Sequence, residues 1–273
     1  MVEPINELWK KCYTGYVYRP WLNKYVSKVS IYVTWFLVHT PVKADQVTIS
    51  EFFLLFLGAI FLFFGRFEYI FIGLLIIQFT NLLDCVDGEI ARYRKKPSLT
   101  GVHLEDIYHA LVPYFMFFPL AFGIFLKTGW KSVLIFGFLC SIFSKSVIIP
   151  AMESAVIKSR ISKATPLGYL RKKDRKSVND VILQGSELGK QLNDSYDKFK
   201  DFWAWPTNML HLTIISVMEL INKKYQLVQS YSIFYWYIVL YSVIVILIQI
   251  VSFIVHYKGK AAEQYYKKLF GGS

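Results

Sequence analysis

Six long apolar runs constrain this chain more than any other feature of its sequence. They lie at residues 47–65, 68–91, 102–126, 129–150, 204–222 and 232–255. Each approaches the roughly 20 apolar residues that a helix needs to cross a bilayer. Backbone polar groups in lipid must be satisfied within the protein, and the strand alternation of a membrane β-barrel is absent. We therefore expect an all-α polytopic membrane bundle with six transmembrane helices.

Composition and charge agree with a membrane protein. The chain is 55% apolar, and its mean hydropathy is +0.38. With six spans, 25 of its 31 Lys and Arg residues fall on one side and five on the other, and Lys145 falls inside a helix. The positive-inside rule then places both termini on the cytoplasmic side. The net charge of +12 suits an anionic membrane surface, and no nucleic-acid motif accompanies it, so no nucleic-acid partner is expected.

Three further segments surround the spans. Residues 1–46 are predicted to be an interfacial amphipathic segment, because apolar and aromatic residues recur at helical spacing beside lysines. Its stripes are Ile5, Leu8, Trp9, Cys12, Tyr13 and Tyr16, then Trp21, Leu22, Tyr25, Val26 and Val29. The alternative is a soluble helical segment that packs on the bundle. We expect residues 47–255 to form the transmembrane domain, residues 152–203 a cytoplasmic insertion within it, and residues 256–273 a cytoplasmic tail.

Acidic residues stand at one end of two neighbouring apolar runs. Asp84, Asp87, Gly88 and Ala91 have the spacing i, i+3, i+4 and i+7, so they share one helix face. Arg92 follows one position later. On the next helix Glu105 and His109 share a face, and Asp106 lies about 100° away. Ionisable groups at membrane depth favour a functional role.

This pattern predicts a metal–diphosphate site at the cytoplasmic boundary. Carboxylates at close range need a cation between them, and all-oxygen ligands favour Mg²⁺, Mn²⁺ or Ca²⁺. The guanidinium fork of Arg92 suits phosphate oxygens. The alternative is a structural ion pair of Asp84 or Asp87 with Arg92. Lys145 is either a lysine that reaches the membrane surface or one that lines a cavity for an anionic substrate.

The spacing of these residues also resembles a family signature. Starting at Asp84, the chain follows the CDP-alcohol phosphotransferase (CDP-alcohol phosphatidyltransferase) pattern D-x2-D-G-x2-A-R-x8-G-x3-D-x3-D through Gly101, at every spacing. It departs from the pattern at the last two acidic positions, where it has Glu105 and His109. The start of the first run, residues 44–48, is similar to the family's Pro-Asn-x-x-Thr, with Ala44, Asp45 and Thr48 at the fixed positions.

The resemblance implies a membrane enzyme with one or two divalent cations, Mg²⁺ or Mn²⁺, commonly a homodimer. It makes Asp84, Asp87 and Glu105 metal ligands, and His109 takes the place of the general base. The expected nucleotide and diphosphate residues are Asp84, Gly88, Ala91, Arg92, Gly101 and Thr48. His109 is also a candidate metal ligand, as is Asp106 if it replaces the missing carboxylate. Glu105 and His109 are thus the residues predicted to be catalytic.

The expected activity is transfer of a substituted phosphate from a CDP-linked donor to an alcohol, with release of CMP, in the synthesis of phospholipid or a related lipid or glycopolymer. The donor is either CDP-diacylglycerol or a soluble CDP-alcohol that serves a lipid acceptor. One alternative is a protein with an altered site that binds nucleotide or metal without turnover. Another is a transporter, which the clustering of charge at one mouth disfavours.

Overall fold

The computed structural model describes residues 4–13, 22–96, 98–145, 198–199, 201–258 and 260–261, and it contains helices and no strand within these ranges. Eight helices have defined bounds. They are α1 (Ile5–Tyr13), α2 (Asn23–Val38), α3 (Ala44–Phe63), α4 (Phe67–Tyr93), α5 (Leu99–Thr128), α6 (Lys131–Phe143), α7 (Thr207–Tyr225) and α8 (Ser232–Lys258). Most of the predicted insertion, and most of the predicted tail, lie outside the described residues.

Four helices are long and apolar enough to cross a membrane, namely α3, α4, α5 and α8. In the described part of the chain, α6 is apolar but has 13 residues, and the predicted run 129–150 continues into residues that are not described. The predicted run 204–222 coincides with α7, which is not among the four candidates. The all-α membrane bundle is confirmed, whereas the count of six spans is not.

Helices α3 and α4 pack as a close antiparallel pair. Their backbones meet at Gly58 and Gly73, where a Cβ on Gly73 would lie 2.8 Å from the carbonyl oxygen of Gly58. The turn between them is made by Gly65, whose φ of 68° is readily adopted only by glycine. Small residues let helix backbones approach each other in this way in membranes. This crossing fixes the register that brings the polar ends of the two helices together.

The N-terminal helices α1 and α2 pack against the polar end of α4. Leu8, Cys12 and Ile31 form a small buried cluster there. In the second N-terminal segment, two residues of the stripe that is predicted to lie in the membrane interface, Tyr25 and Val29, are 62% and 55% exposed. The buried face of α2 instead consists of Ser27, Ser30, Ile31 and Thr34. Its hydroxyls face a carboxylate on α4, which explains why an apolar stripe did not identify it.

The opposite end of the bundle is held by a different buried carboxylate. Glu219 on α7 is fully buried and accepts hydrogen bonds from the backbone N–H groups of Tyr231 and Ile233, at 3.2 Å and 2.9 Å. These N–H groups lie at the start of α8, where a helix has no internal acceptors for them. Glu219 therefore joins the end of α7 to the start of α8. Glu219 lies at the end of the bundle opposite the acidic cluster.

Candidate active site

Three of the predicted residues converge between α4 and α5. His109 Nε2 lies 3.0 Å from Asp84 Oδ1 and 4.0 Å from Glu105 Oε1. One possible ligand atom from each residue lies within 4.8 Å of the others, and all three side chains are partly buried. The i, i+4 spacing on α5 aims Glu105 and His109 at Asp84 on α4. The arrangement of two carboxylates and one imidazole suits a single divalent cation.

A second contact joins α3 to the same face of α4. Thr48 Oγ1 donates a hydrogen bond of 2.6 Å to Asp87 Oδ2, and both residues are buried. Asp87 is not part of the group formed by Asp84, Glu105 and His109, although the charges of Asp84 and Glu105 act on it. A hydroxyl that donates to a buried carboxylate restricts its rotation and stabilises its charge. Thr48 therefore positions Asp87 beside the three converging residues.

Gly88 and Arg92 lie against each other on α4. A Cβ on Gly88 would lie 2.9 Å from Arg92 Nη1, so the missing side chain leaves room for the guanidinium group. The same guanidinium lies over the ring of Tyr13, 5.5 Å from its centroid. This cation–π contact comes from α1, outside the motif. Ala91, the other small residue of the motif, is half-buried.

Gly101 marks a close approach between α5 and the start of α3. A Cβ at this position would lie 2.8 Å from Asp45 Oδ1 and 2.9 Å from Ser98 Oγ. Ser98 caps α5 by accepting a hydrogen bond of 2.8 Å from the Gly101 N–H, and its hydroxyl donates to Asp45 Oδ1 at 3.2 Å. The requirement for glycine here has a steric origin in this contact.

Two other predicted residues lie at the edge of the site. Asp106 is exposed, and it does not belong to the group of possible metal ligands found among the described residues. Lys145 follows α6 and donates a hydrogen bond of 3.3 Å to the backbone oxygen of Asp106. Its ammonium group therefore lies close to the first turns of α5.

Comparison with known families agrees with this geometry. A sequence model described as CDP-alcohol phosphatidyltransferase matches residues 42–173. Over these residues the chain is similar to the CDP-alcohol phosphatidyltransferase family. This match supports a membrane transferase of the CDP-alcohol class. A search of curated protein sequences gave no match.

Within the matched region, Glu89 occupies a variable position of the motif yet is fully buried. It accepts hydrogen bonds from the hydroxyls of Tyr13, Ser30 and Thr34, the last two at 2.5 Å. A carboxylate with three hydroxyl donors is well satisfied despite its burial. Glu89 thus fastens α1 and α2 to the motif helix. Neither its spacing nor its neighbours in the sequence indicated this role.

Arg94 fastens the end of the same helix. Its Nη1 donates to the Val42 oxygen at 2.5 Å, and its Nη2 donates to the Thr40 oxygen at 2.7 Å. Weaker contacts of 3.5 Å reach the Leu37 and Val38 oxygens at the end of α2. Carbonyl groups at a helix C-terminus have no internal donors and attract cations. Of the three basic residues that follow Arg92, namely Arg94, Lys95 and Lys96, Arg94 is therefore structural.

Two further residues enclose the site without belonging to the motif. Trp205, just before α7, packs edge-on against His109 with ring centroids 6.4 Å apart. Glu51 on α3 is fully buried, and its electrostatic neighbours are Asp87, Asp84 and Glu105. The sequence did carry a signal for Glu51, since an acidic residue within an apolar run is costly at membrane depth.

The donor set at the centre of the site fits a divalent cation. Asp84, Glu105 and His109 offer two carboxylate oxygens and one imidazole nitrogen within reach of one another. Carboxylates suit Mg²⁺ and Mn²⁺, whereas an imidazole favours Mn²⁺ over Mg²⁺. The family and this cluster together support the use of a divalent metal.

Proposed function

We propose that this protein transfers a substituted phosphate from a CDP-linked donor to an alcohol and releases CMP. The observation that carries the proposal is the convergence of Asp84, Glu105 and His109 at one point, with the Arg92 guanidinium on the same helix end. Carboxylates suited to a cation beside an arginine suited to phosphate are what a nucleoside diphosphate requires.

Asp84, Glu105 and the Thr48-bound Asp87 would hold one or two cations, Mg²⁺ or Mn²⁺. Such an ion, when bound, neutralises phosphoryl oxygens and stabilises a departing phosphate. Arg92 binds the diphosphate, and its position depends on the absence of a side chain at Gly88. Ala91 leaves room for the nucleotide, and Gly101 allows α5 to approach Asp45 at the start of α3. Lys145 is the candidate for contact with an anionic group of the acceptor or donor.

His109 is the proposed general base. The acceptor hydroxyl oxygen forms a bond to the donor phosphorus that carries the alcohol or phosphatidyl group. The bond from that phosphorus to the bridging oxygen of CMP breaks, and CMP leaves with the electron pair. The hydroxyl proton passes to the ring nitrogen of His109 that does not face Asp84, and Asp84 Oδ1, 3.0 Å from Nε2, stabilises the charged ring. Glu105, one turn earlier, provides a second negative charge at 4.0 Å.

Because the site lies at a membrane, one of the two substrates, the donor or the acceptor, is a lipid. The donor is CDP-diacylglycerol with a soluble acceptor, or a soluble CDP-alcohol with a lipid acceptor. The distribution of Lys and Arg supports a site and termini on the cytoplasmic side. A homodimer is proposed from the family resemblance alone.

Isotope exchange tests the proposal whichever alcohol is the acceptor. Purified protein is incubated with labelled CMP, Mn²⁺ or Mg²⁺ and a lipid extract, and CDP-linked products are measured by mass spectrometry. We expect label in a CDP-linked compound, loss of the signal with EDTA, and recovery when Mn²⁺ is restored. Asp84→Asn should reduce exchange by at least about 100-fold, as expected for loss of a group that holds a metal.

The Glu219→Gln variant is the matched control, because it changes a buried carboxylate at the far end of the bundle. Its exchange should match that of the unaltered protein. Binding of CMP and Mn²⁺ without exchange in any extract would favour the non-enzymatic alternative. Near-normal exchange and unchanged pH dependence in His109→Ala would remove His109 from the mechanism.

A further inference from the structure

Glu51 is a buried acidic residue that no part of the motif uses. It lies in α3, about 10 Å from the first residue of the helix at 1.5 Å per residue, and its side chain is fully buried. Neither carboxylate oxygen has a hydrogen-bond partner among the described residues. Ion pairs identified in the described part of the chain do not include it. A buried carboxylate without a partner is costly, unless it binds a proton or a cation.

The register of α3 against α4 places Glu51 opposite Asp84. Thr48 pairs with Asp87, and a Cβ on Gly58 would meet Ile77, so the chain positions run in opposite directions along the two helices. Glu51, three residues after Thr48 on α3, therefore lies opposite Asp84, three residues before Asp87 on α4. The charges that act on Glu51 are those of Asp87, Asp84 and Glu105, in agreement with this placement.

A second buried polar side chain lies on the same part of α4. Asn81 lies one turn before Asp84 on α4 and is 1% exposed, and its Oδ1 also lacks a hydrogen-bond partner among the described residues. Two buried carboxylate oxygens without hydrogen-bond partners, opposite the carboxylate of Asp84, are ligands that a hard cation prefers. At the other side of the site His109 stands where the family signature has a carboxylate. Glu51 would thus restore a fourth carboxylate to the group.

We propose that Glu51 is an additional ligand for a divalent cation held between α3 and α4 with Asp84 and Asp87. The inference deepens the proposed function and rests on it for the use of a metal. It assigns to α3 a direct share of the metal site, beyond the hydrogen bond that Thr48 donates to Asp87. A cation at this place would satisfy the two oxygens of Glu51 that are otherwise without partners.

Metal binding, rather than turnover, tests the inference. Mn²⁺ affinity and stoichiometry are measured by electron paramagnetic resonance on the full chain in detergent, without nucleotide. We expect Glu51→Gln to weaken Mn²⁺ binding by roughly 10- to 100-fold or to remove one bound ion. Glu219→Gln, a second fully buried glutamate changed in the same way, should bind Mn²⁺ like the unaltered protein.

Thermal unfolding gives a second readout. Without metal, Glu51→Gln should unfold at the same or a higher temperature than the unaltered protein, because it removes an unpaired buried carboxylate. Mn²⁺ should then raise the unfolding temperature of this variant less. If Glu51→Gln is not recovered folded, Glu51→Asp is measured instead, and its shorter side chain should also weaken Mn²⁺ binding.

The outcomes separate the two proposals. Unchanged Mn²⁺ affinity and stoichiometry in Glu51→Gln would overturn the role of Glu51, even if the protein exchanges CMP, and would indicate a protonated side chain that glutamine replaces. If Glu51→Gln weakens Mn²⁺ binding but the unaltered protein never exchanges CMP, the ligand role of Glu51 is supported and the proposed transferase activity is refuted. A protein that binds no Mn²⁺ would overturn the ligand role as well.

Discussion

Replacing Glu89 by alanine should detach α1 from the motif helix. Glu89 is fully buried and accepts hydrogen bonds from Tyr13 on α1 and from Ser30 and Thr34 on α2. A hydrogen bond to a charged group contributes about 1.5–3 kcal/mol. Of these three hydrogen bonds, the one from Tyr13 joins α1 to Glu89. Its loss should raise the equilibrium constant for the opening of α1 about 10- to 150-fold, at 1.4 kcal/mol per factor of ten.

Cys12 reports this opening directly. Its side chain is 1% exposed and its thiol lies against the Glu89 backbone oxygen, so a maleimide reagent reaches it only when α1 moves away from α4. The labelling rate of the Cys12 peptide is followed by mass spectrometry in the full chain. We expect the increase calculated above in Glu89→Ala and a smaller one in Glu89→Gln, which keeps one acceptor oxygen.

The control for this experiment is Glu219→Gln, which should label Cys12 at the unaltered rate. A Cys12 labelling rate in Glu89→Ala within about threefold of that of the unaltered protein corresponds to a change of less than about 0.7 kcal/mol in the free energy of opening. Such a rate would refute the role of Glu89 in holding α1. In that case the packing of Leu8 and Cys12 against Ile31 would hold α1 without the carboxylate.

Two further predictions concern the contacts that shape the site. Thr48→Val keeps the shape of the side chain but removes the hydrogen bond of 2.6 Å to Asp87, so CMP exchange should fall roughly tenfold. Thr48→Ser keeps the hydroxyl and should restore exchange. Exchange in Thr48→Val equal to that of the unaltered protein would show that Asp87 does not need this hydrogen bond. Gly88→Ala places a Cβ 2.9 Å from Arg92 Nη1, so the KM for the CDP-linked donor should rise several-fold more than kcat falls. A change confined to kcat would contradict the assignment of Arg92 to donor binding.

The sequence predicted the elements that depend on local periodicity. The runs 47–65, 68–91, 102–126 and 232–255 correspond to α3, α4, α5 and α8, with ends that differ by only a few residues. The convergence of Asp84, Glu105 and His109 was also predictable, because helical spacing and the motif place them on facing surfaces. These features are encoded over short distances along the chain.

The contacts that enclose the site were not predictable in the same way. Glu89 receives its donors from residues 55 to 76 positions away, and Arg94 reaches carbonyl groups more than 50 positions away. The packed face of α2 is polar, so an apolar stripe could not reveal it. Trp205 meets His109 only through the tertiary fold. Glu51 differs from these, since an isolated acid in an apolar run was a visible signal.

The contact between Tyr13 and Arg92 has a consequence for how this chain can be divided. Residues 42–173 contain the whole motif, but Tyr13 and the carbonyl groups of α2 precede them, and Trp205 follows them. A protein shortened to the family-matched part would keep all the motif side chains and lose the surfaces against which Arg92, Arg94 and His109 rest. Transplanting the motif helices alone would therefore transfer the ligands of the site without the walls that orient them.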